Sequence, residues 1–139
     1  MRVLVYGTRG WIGGQFVDIL KMRGIEYFSG KSRVDNDETL QNEIESIKPT
    51  HVVSFIGRTH GTIDDKVYTT IDYLEQDGKL LENMRDNLYG PLLLSEICKQ
   101  NGIHFTYLGT GCIFKFDEDH PFGLEENGFT EDSLPNFYG

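Results

Sequence analysis

The sequence predicts an α/β domain, a parallel sheet with helices on both faces, and three observations predict it. Short apolar runs alternate with stretches of helical period along the chain. The first such pair is joined by a glycine-rich turn, Gly7-Thr8-Arg9-Gly10-Trp11-Ile12-Gly13. The 139 residues, 38% hydrophobic and 25% charged with 16 Gly and 4 Pro, have the size and composition of one globular domain. A domain of that length buries roughly two-thirds of its unfolded surface, so a single core needs no metal or disulfide staple.

The first strand is Val3-Leu4-Val5-Tyr6, an unbroken apolar run of the kind buried on both faces of a sheet. Residues 11–23 follow as a helix, with Ile12, Phe16, Ile19, Leu20 and Met22 at helical spacing and Gly24 where a left-handed C-cap belongs. Residues 25–28 read as a second strand. Asp37 is placed to cap a helix carrying Leu40, Ile44 and Ile47, which Pro49 stops. Residues 51–56 form the third strand. Residues 57–77 have no clear period, so an irregular loop with about one helical turn is expected, and loops of that length usually bind something. Over residues 79–100, Leu81, Met84, Leu88, Leu92 and Ser95 recur at helical spacing, and Pro91, which cannot donate to the carbonyl of Asn87, predicts a kink or break. Residues 103–108 are the fourth strand. Residues 115–139 hold one Lys and seven Asp/Glu, −6 of the chain's net −9, and read as an acidic, loop-rich segment peripheral to the core.

This charge argues against nucleic acid or an anionic bilayer as partner, because it repels phosphate. No apolar run has the length of a membrane span and no signal-peptide pattern opens the chain, so a cytoplasmic protein is expected. Cys98 and Cys112 make no C-x-x-C and are read as reduced thiols, and no His/Cys/Asp/Glu spacing predicts a metal site.

The chemistry-bearing signal is the glycine turn. Its residues Gly7, Thr8, Arg9, Gly10, Trp11, Ile12 and Gly13 close a strand and open a helix, where a tight turn, free N–H groups and close helix–strand packing together cradle a pyrophosphate. The architecture implied is a Rossmann-type doubly wound sheet binding NAD(P). NAD-preferring sites place a carboxylate at the end of the second strand, for the ribose 2′-hydroxyl. Here that stretch is Ser29-Gly30-Lys31-Ser32-Arg33, with no carboxylate before Asp35. Lys31 and Arg33 suit a 2′-phosphate instead, and NADPH is expected over NADH.

With Lys48-Pro49-Thr50-His51-Val52, Asp86-Asn87-Leu88-Tyr89-Gly90, Gly109-Thr110-Gly111-Cys112-Ile113-Phe114 and Leu134-Pro135-Asn136-Phe137 added to the glycine turn, the chain resembles the extended short-chain dehydrogenase/reductases. It is most similar to the bifunctional nucleotide-4-keto-6-deoxyglucose 3,5-epimerase/4-reductases of UDP-rhamnose synthesis, relatives of dTDP-4-dehydrorhamnose reductase. The resemblance implies that Thr110 polarises the sugar's keto oxygen and that Cys112 acts as acid/base beside it. A ketone acidifies the neighbouring C–H bonds, and a thiol whose pKa is modestly lowered can remove and return such a proton. It also implies that Gly57 and Arg58 pass the nicotinamide ribose and phosphates, and that the Asn87 carbonyl, freed by Pro91, serves the site; a surface charge at Arg58 and a plain helix break at Asn87 are the alternatives. His60 lies in the same loop.

The Tyr-x-x-x-Lys pair of the superfamily's reductases does not follow Thr110, and Tyr138 is not assigned to that role. Residues 1–139 are accordingly expected to be an NAD(P)-binding domain leading toward an absent substrate lobe, inactive alone. Its expected partner is a nucleotide-sugar, UDP- or dTDP-linked, and a homodimer stays open. The rival readings are a plain 4-ketoreductase in which Cys112 is inert, and a non-catalytic NADP-binding module.

Overall fold

A computed structural model of the chain describes residues 1–109 and 113–137, in two compact units, Met1–Leu108 and Gly109–Gly139. The first unit runs β1 (Arg2–Tyr6), α1 (Trp11–Met22), β2 (Glu26–Ser29), α2 (Asp37–Ile47), β3 (His51–Ser54), a hairpin of β4 (Gly61–Ile63) and β5 (Lys66–Tyr68), a 3-10 turn (Ile71–Tyr73), α3 (Leu80–Asn83), a π-helical stretch (Met84–Tyr89), α4 (Gly90–Gln100) and β6 (His104–Tyr107). The four-stranded sheet has the order β2-β1-β3-β6, and every pair is parallel.

Alternation along β1 divides the core. Leu4 and Tyr6 point to one face, where Leu40 and Ile44 of α2 and Leu94, Ile97 and Cys98 of α4 close over them with Val52. Val3 and Val5 point to the other, against Val17 and Leu20 of α1. Burying each such aliphatic side chain stabilises the fold by about 1.5–3 kcal/mol, and the sheet is covered on both sides, as a doubly wound fold requires. Cys98 sits in this core, where burial pushes its thiol up to about 11. It is a small hydrophobe there.

The helix ends follow their capping residues. Gly24, at φ +62°, ends α1 with the Ile25 N–H on Leu20 O at 2.9 Å. The cap of α2 is Asn36 rather than Asp37: the Asn36 side-chain oxygen accepts from Thr39 N–H at 3.0 Å, and Asp37 falls in the first turn, where its charge complements the helix dipole. The stretch expected to be irregular contains a hairpin, because Asp64 and Asp65 adopt the left-handed conformation at φ +45° and +66° and turn the chain between β4 and β5. Tyr73 packs on Gly61, where a Cβ would come within 2.5 Å of the ring, and its hydroxyl accepts from Lys79 Nζ at 2.8 Å and donates to Glu82. The kink or break expected at Pro91 takes the form of a π-helical stretch just before it. Its wider turns, with Gly90 N–H on Arg85 O, take up the missing donor.

In the second unit, Phe129 stacks on Phe114 and on His120, at centroid distances of 4.4 and 4.0 Å. The Asn136 side chain accepts from Lys115 N–H at 2.8 Å and donates to Lys115 O and Asp117, so the acidic segment is loop-like but tied together. Among the described residues no helix is long and apolar enough to cross a membrane, and no His/Cys/Asp/Glu group could hold a metal.

Candidate dinucleotide site

From β1 the chain crosses to β2 on one side and later to β3 on the other, so the segments after β1 and β3 diverge. The crevice beyond the carboxyl ends of strands at such a switch point is where open α/β sheets hold ligands. Gly7 makes the first turn at φ +83°, with Phe55 so near that a Cβ would lie 3.0 Å from its carbonyl carbon. The Gly10 N–H closes the turn on Gly7 O at 3.0 Å, and Gly14 N–H on Gly10 O at 2.8 Å starts α1. That helix has neither a side-chain cap nor an acid in its first turn. Its leading N–H groups, carrying roughly half a positive charge between them, are left for an anion. Gly13 serves from behind: a Cβ there would lie 2.9 Å from the Gly7 carbonyl carbon and nearer still to its oxygen, so α1 can press on the turn only without one.

A cleft of about 440 Å³ opens between this turn, residues 30–35, residues 55–60 and Arg85-Asp86. Its size is that of a small-molecule site. Arg9, Lys31, Arg33, Arg58 and Arg85 line it against only Asp35 and Asp86, a net +3 in a chain of net −9.

The loop after β2 is held from beneath. Gly30 N–H continues the sheet onto Val5 O at 2.8 Å, and the Tyr6 ring fills the place a side chain at Gly30 would need. Glu43, one turn from the end of α2, accepts from Lys31 N–H at 2.7 Å, Ser32 N–H at 3.1 Å and the Tyr6 hydroxyl at 2.8 Å. Burial works against its charge, yet these donors outweigh it and keep the Glu43 carboxyl below the usual range. Burial and the facing carboxylate push the Tyr6 phenol up, so it stays a donor.

Two arginines and two acids close the mouth. Arg33 grips Asp35 with two bonds, at 2.9 and 3.0 Å, and Arg85 Nε stands 3.6 Å from Oδ2 of the same carboxylate. Arg85 also holds Asp86, at 2.7 and 3.1 Å. The Arg33 guanidinium keeps Asp35, and Arg85 keeps Asp86, below the ordinary carboxylate range. Further in, Asn87 clamps the backbone after β3: its Oδ1 accepts from Arg58 N–H at 2.6 Å, and its Nδ2 donates to Arg58 O at 3.0 Å. The Arg58 Nε lies 3.3 Å from both Asp86 and Glu82.

Of the residues expected from sequence, Gly7, Thr8, Arg9, Gly10, Lys31, Arg33, Gly57, Arg58 and His60 meet in this cleft. Trp11 is 84% exposed and Ile12 is exposed, outside the cleft wall, while Gly13 backs the turn. Asn87 acts through its side chain, behind Arg58. Thr110, Cys112 and Tyr138 lie outside the described residues. Sequence reasoning missed Glu43, Arg85 and the inward face of Asp86, although Asp86 and Asn87 were singled out together.

No family model matches the chain. It is 51% identical over its whole length to the UDP-rhamnose synthase of Acanthamoeba polyphaga mimivirus, superposing on that crystal structure with a TM-score of 0.84 and covering 46% of it. It is 36% identical over 136 residues, 98% of its length and 42% of the relative's, to the bifunctional dTDP-4-dehydrorhamnose 3,5-epimerase/reductase of Arabidopsis thaliana. The UDP-glucose 4-epimerase of Thermus thermophilus, solved with NAD, shares the fold alone: TM-score 0.67 at 24% identity, over 87% of this chain and 44% of that one. The chain thus spans under half the length of each of these relatives.

Proposed function

We propose that this chain, a homologue along its whole length of the nucleotide-rhamnose enzymes and built on the same Rossmann-type fold, is the dinucleotide-binding part of a 3,5-epimerase/4-reductase. Its substrate would be a nucleotide-linked 4-keto-6-deoxyglucose, leaving as the rhamnose form, with NADPH as reductant. The observation that carries the reading is the net +3 cleft at the sheet's switch point in an otherwise acidic chain.

The residues fit a nicotinamide dinucleotide. The uncapped start of α1 and the Gly7–Gly10 turn hold the pyrophosphate, Lys31 and Arg33 take the 2′-phosphate, and the backbone at Gly57 and Arg58 runs beside the nicotinamide ribose, steadied by Asn87. When bound, the nicotinamide supplies hydride for the carbonyl carbon. The choice of NADPH rests on this chain's own cations.

Thr110 donates a hydrogen bond to the keto oxygen. Cys112, as thiolate, takes the proton from the carbon beside the ketone to leave an enolate; a solvent-exchangeable proton then arrives on the opposite face from a second donor and the Cys112 thiol gives its own proton to solvent, so the centre is inverted and the thiolate restored. This reading places the protein in the cytosol, where thiols stay reduced.

The test is turnover of the 4-keto-6-deoxy nucleotide-sugar with NADPH in deuterated water, by the intact enzyme of which this chain is a part and by its Cys112→Ala variant. The reading expects deuterium at carbons 3 and 5 of the wild-type product and loss of that incorporation in the variant, with ketone reduction retained. Incorporation undiminished in the variant would make Cys112 inert, and a wild-type product free of deuterium at both carbons would make the enzyme a plain reductase.

A further inference from the structure

We propose that Arg33 and Arg85 together grip the nucleotide's 2′-phosphate and that Asp35, lying between them, is an internal rival for the same place. The inference deepens the NADPH reading above and rests on it.

Arg33 belongs to the loop after β2, where a 2′-phosphate contact is expected from sequence. Arg85 arrives from the π-helical stretch more than fifty residues later, yet its Nε lies 3.6 Å from the carboxylate that Arg33 grips at 2.9 and 3.0 Å. Two guanidiniums of different elements thus converge on one small oxyanion. A phosphate monoester offers oxygens to planar N–H pairs in the same way as a carboxylate. It carries about −1.5 to −2 at neutral pH against −1 for Asp35, so between two arginines the phosphate prevails. The gripping groups are free to turn: the side chains of Arg33 and Arg85 are 66% and 41% exposed. Asp86, bound to Arg85 at 2.7 Å and within 3.9 Å of Arg33, keeps both heads at the mouth when Asp35 is displaced.

Asp35, the first carboxylate past the end of β2, is this chain's nearest candidate for the acceptor that NAD-preferring sites offer the ribose 2′-hydroxyl. Gripped by Arg33 with Arg85 beside it, it is not available for that bond. Arg85 therefore acts twice, adding to the grip on the phosphate and occupying the carboxylate that would favour NADH. Removing Asp35 should free both arginines.

Adenosine 2′,5′-bisphosphate and adenosine 5′-monophosphate, titrated calorimetrically, isolate the 2′-phosphate from the rest of the nucleotide. For Arg85→Gln the inference expects bisphosphate affinity to fall by about tenfold or more, as befits a lost charge-assisted contact, and monophosphate affinity to stay within about twofold. Arg85→Lys, which keeps the charge and the fold but not the planar fork, should fall between. Asp35→Asn should bind the bisphosphate about threefold or more tighter. Unchanged bisphosphate binding in Arg85→Gln, or weaker binding in Asp35→Asn, overturns the inference while leaving the NADPH reading in place. A wild-type protein that binds the two probes equally overturns both.

Discussion

Replacing Gly13 by Ala separates packing from propensity. Alanine in the first turns of α1 gains about 1 kcal/mol over glycine in helix propensity. Against that, the new Cβ would lie 2.9 Å from the Gly7 carbonyl carbon and 3.3 Å from Thr8 Cα, and closest of all to Gly7 O. All three are backbone atoms, so no side chain can swing aside, and α1 must lift off the turn. Overpacking of this kind costs about 1–3 kcal/mol, and a contact with fixed backbone belongs at the upper end. The net expectation is a loss of about 1–2 kcal/mol, or about 3–7 °C in melting temperature for a domain this size. Gly14→Ala is the control. Its Cβ would meet only Thr8 O, at an ordinary 3.7 Å, so propensity should win and stability should rise by up to about 1 kcal/mol. The same displacement drags the leading N–H groups of α1 off the pyrophosphate, so NADPH affinity should fall about tenfold or more in Gly13→Ala and hold in Gly14→Ala. Thermal melts with calorimetric titrations of both variants decide it. A Gly13→Ala protein with wild-type melting temperature and affinity would refute the packing argument.

Two further outcomes follow from the same site. Glu43→Ala leaves the Lys31 and Ser32 amides and the buried Tyr6 hydroxyl without an acceptor, a loss of about 1–3 kcal/mol; hydrogen exchange at those two amides should speed up, and exchange at the wild-type rate would show that Glu43 does not hold the loop. Between pH 7.5 and 5.5 NADPH binding should weaken a few-fold while NADH binding stays flat, because the 2′-phosphate gains a proton near pH 6. Asp35 and Asp86 add no slope in that interval: depressed by their arginines, their stabilising effect is complete above the usual value of 3.8 and lost only as pH falls through their lower folded values. Equal slopes for the two nucleotides would remove the 2′-phosphate from the explanation.

The legible parts were those whose cause is local. β1, its glycine turn and α1 follow from an apolar run and three glycines within a dozen residues, and Gly24 ends the helix by its own left-handed conformation. The β4–β5 hairpin was missed because its turn is Asp64-Asp65, which reaches positive φ without the glycine that normally announces it. Asn36 and Asp37 are both good caps, and only the chain's approach to α2 chose between them. Pro91 foretold a break in the i→i−4 ladder but not that π turns would absorb it. The missed site residues are distant in sequence from what they serve. Glu43 reaches back twelve residues to Lys31, and Arg85 meets Asp35 across fifty. No spacing rule links them, and it is the tertiary fold, which brings α2 and the π-helical stretch against the loop after β2, that does.

The central claim, that the cationic cleft after β1 and β3 is a dinucleotide site built for a 2′-phosphate, is tested most directly by calorimetric titration of the purified protein with NADPH and, separately, with NADH. The account predicts saturable binding of both at a single site, with NADPH tighter by about tenfold or more. Failure of NADPH to bind, or NADH binding as tightly as NADPH, would contradict it.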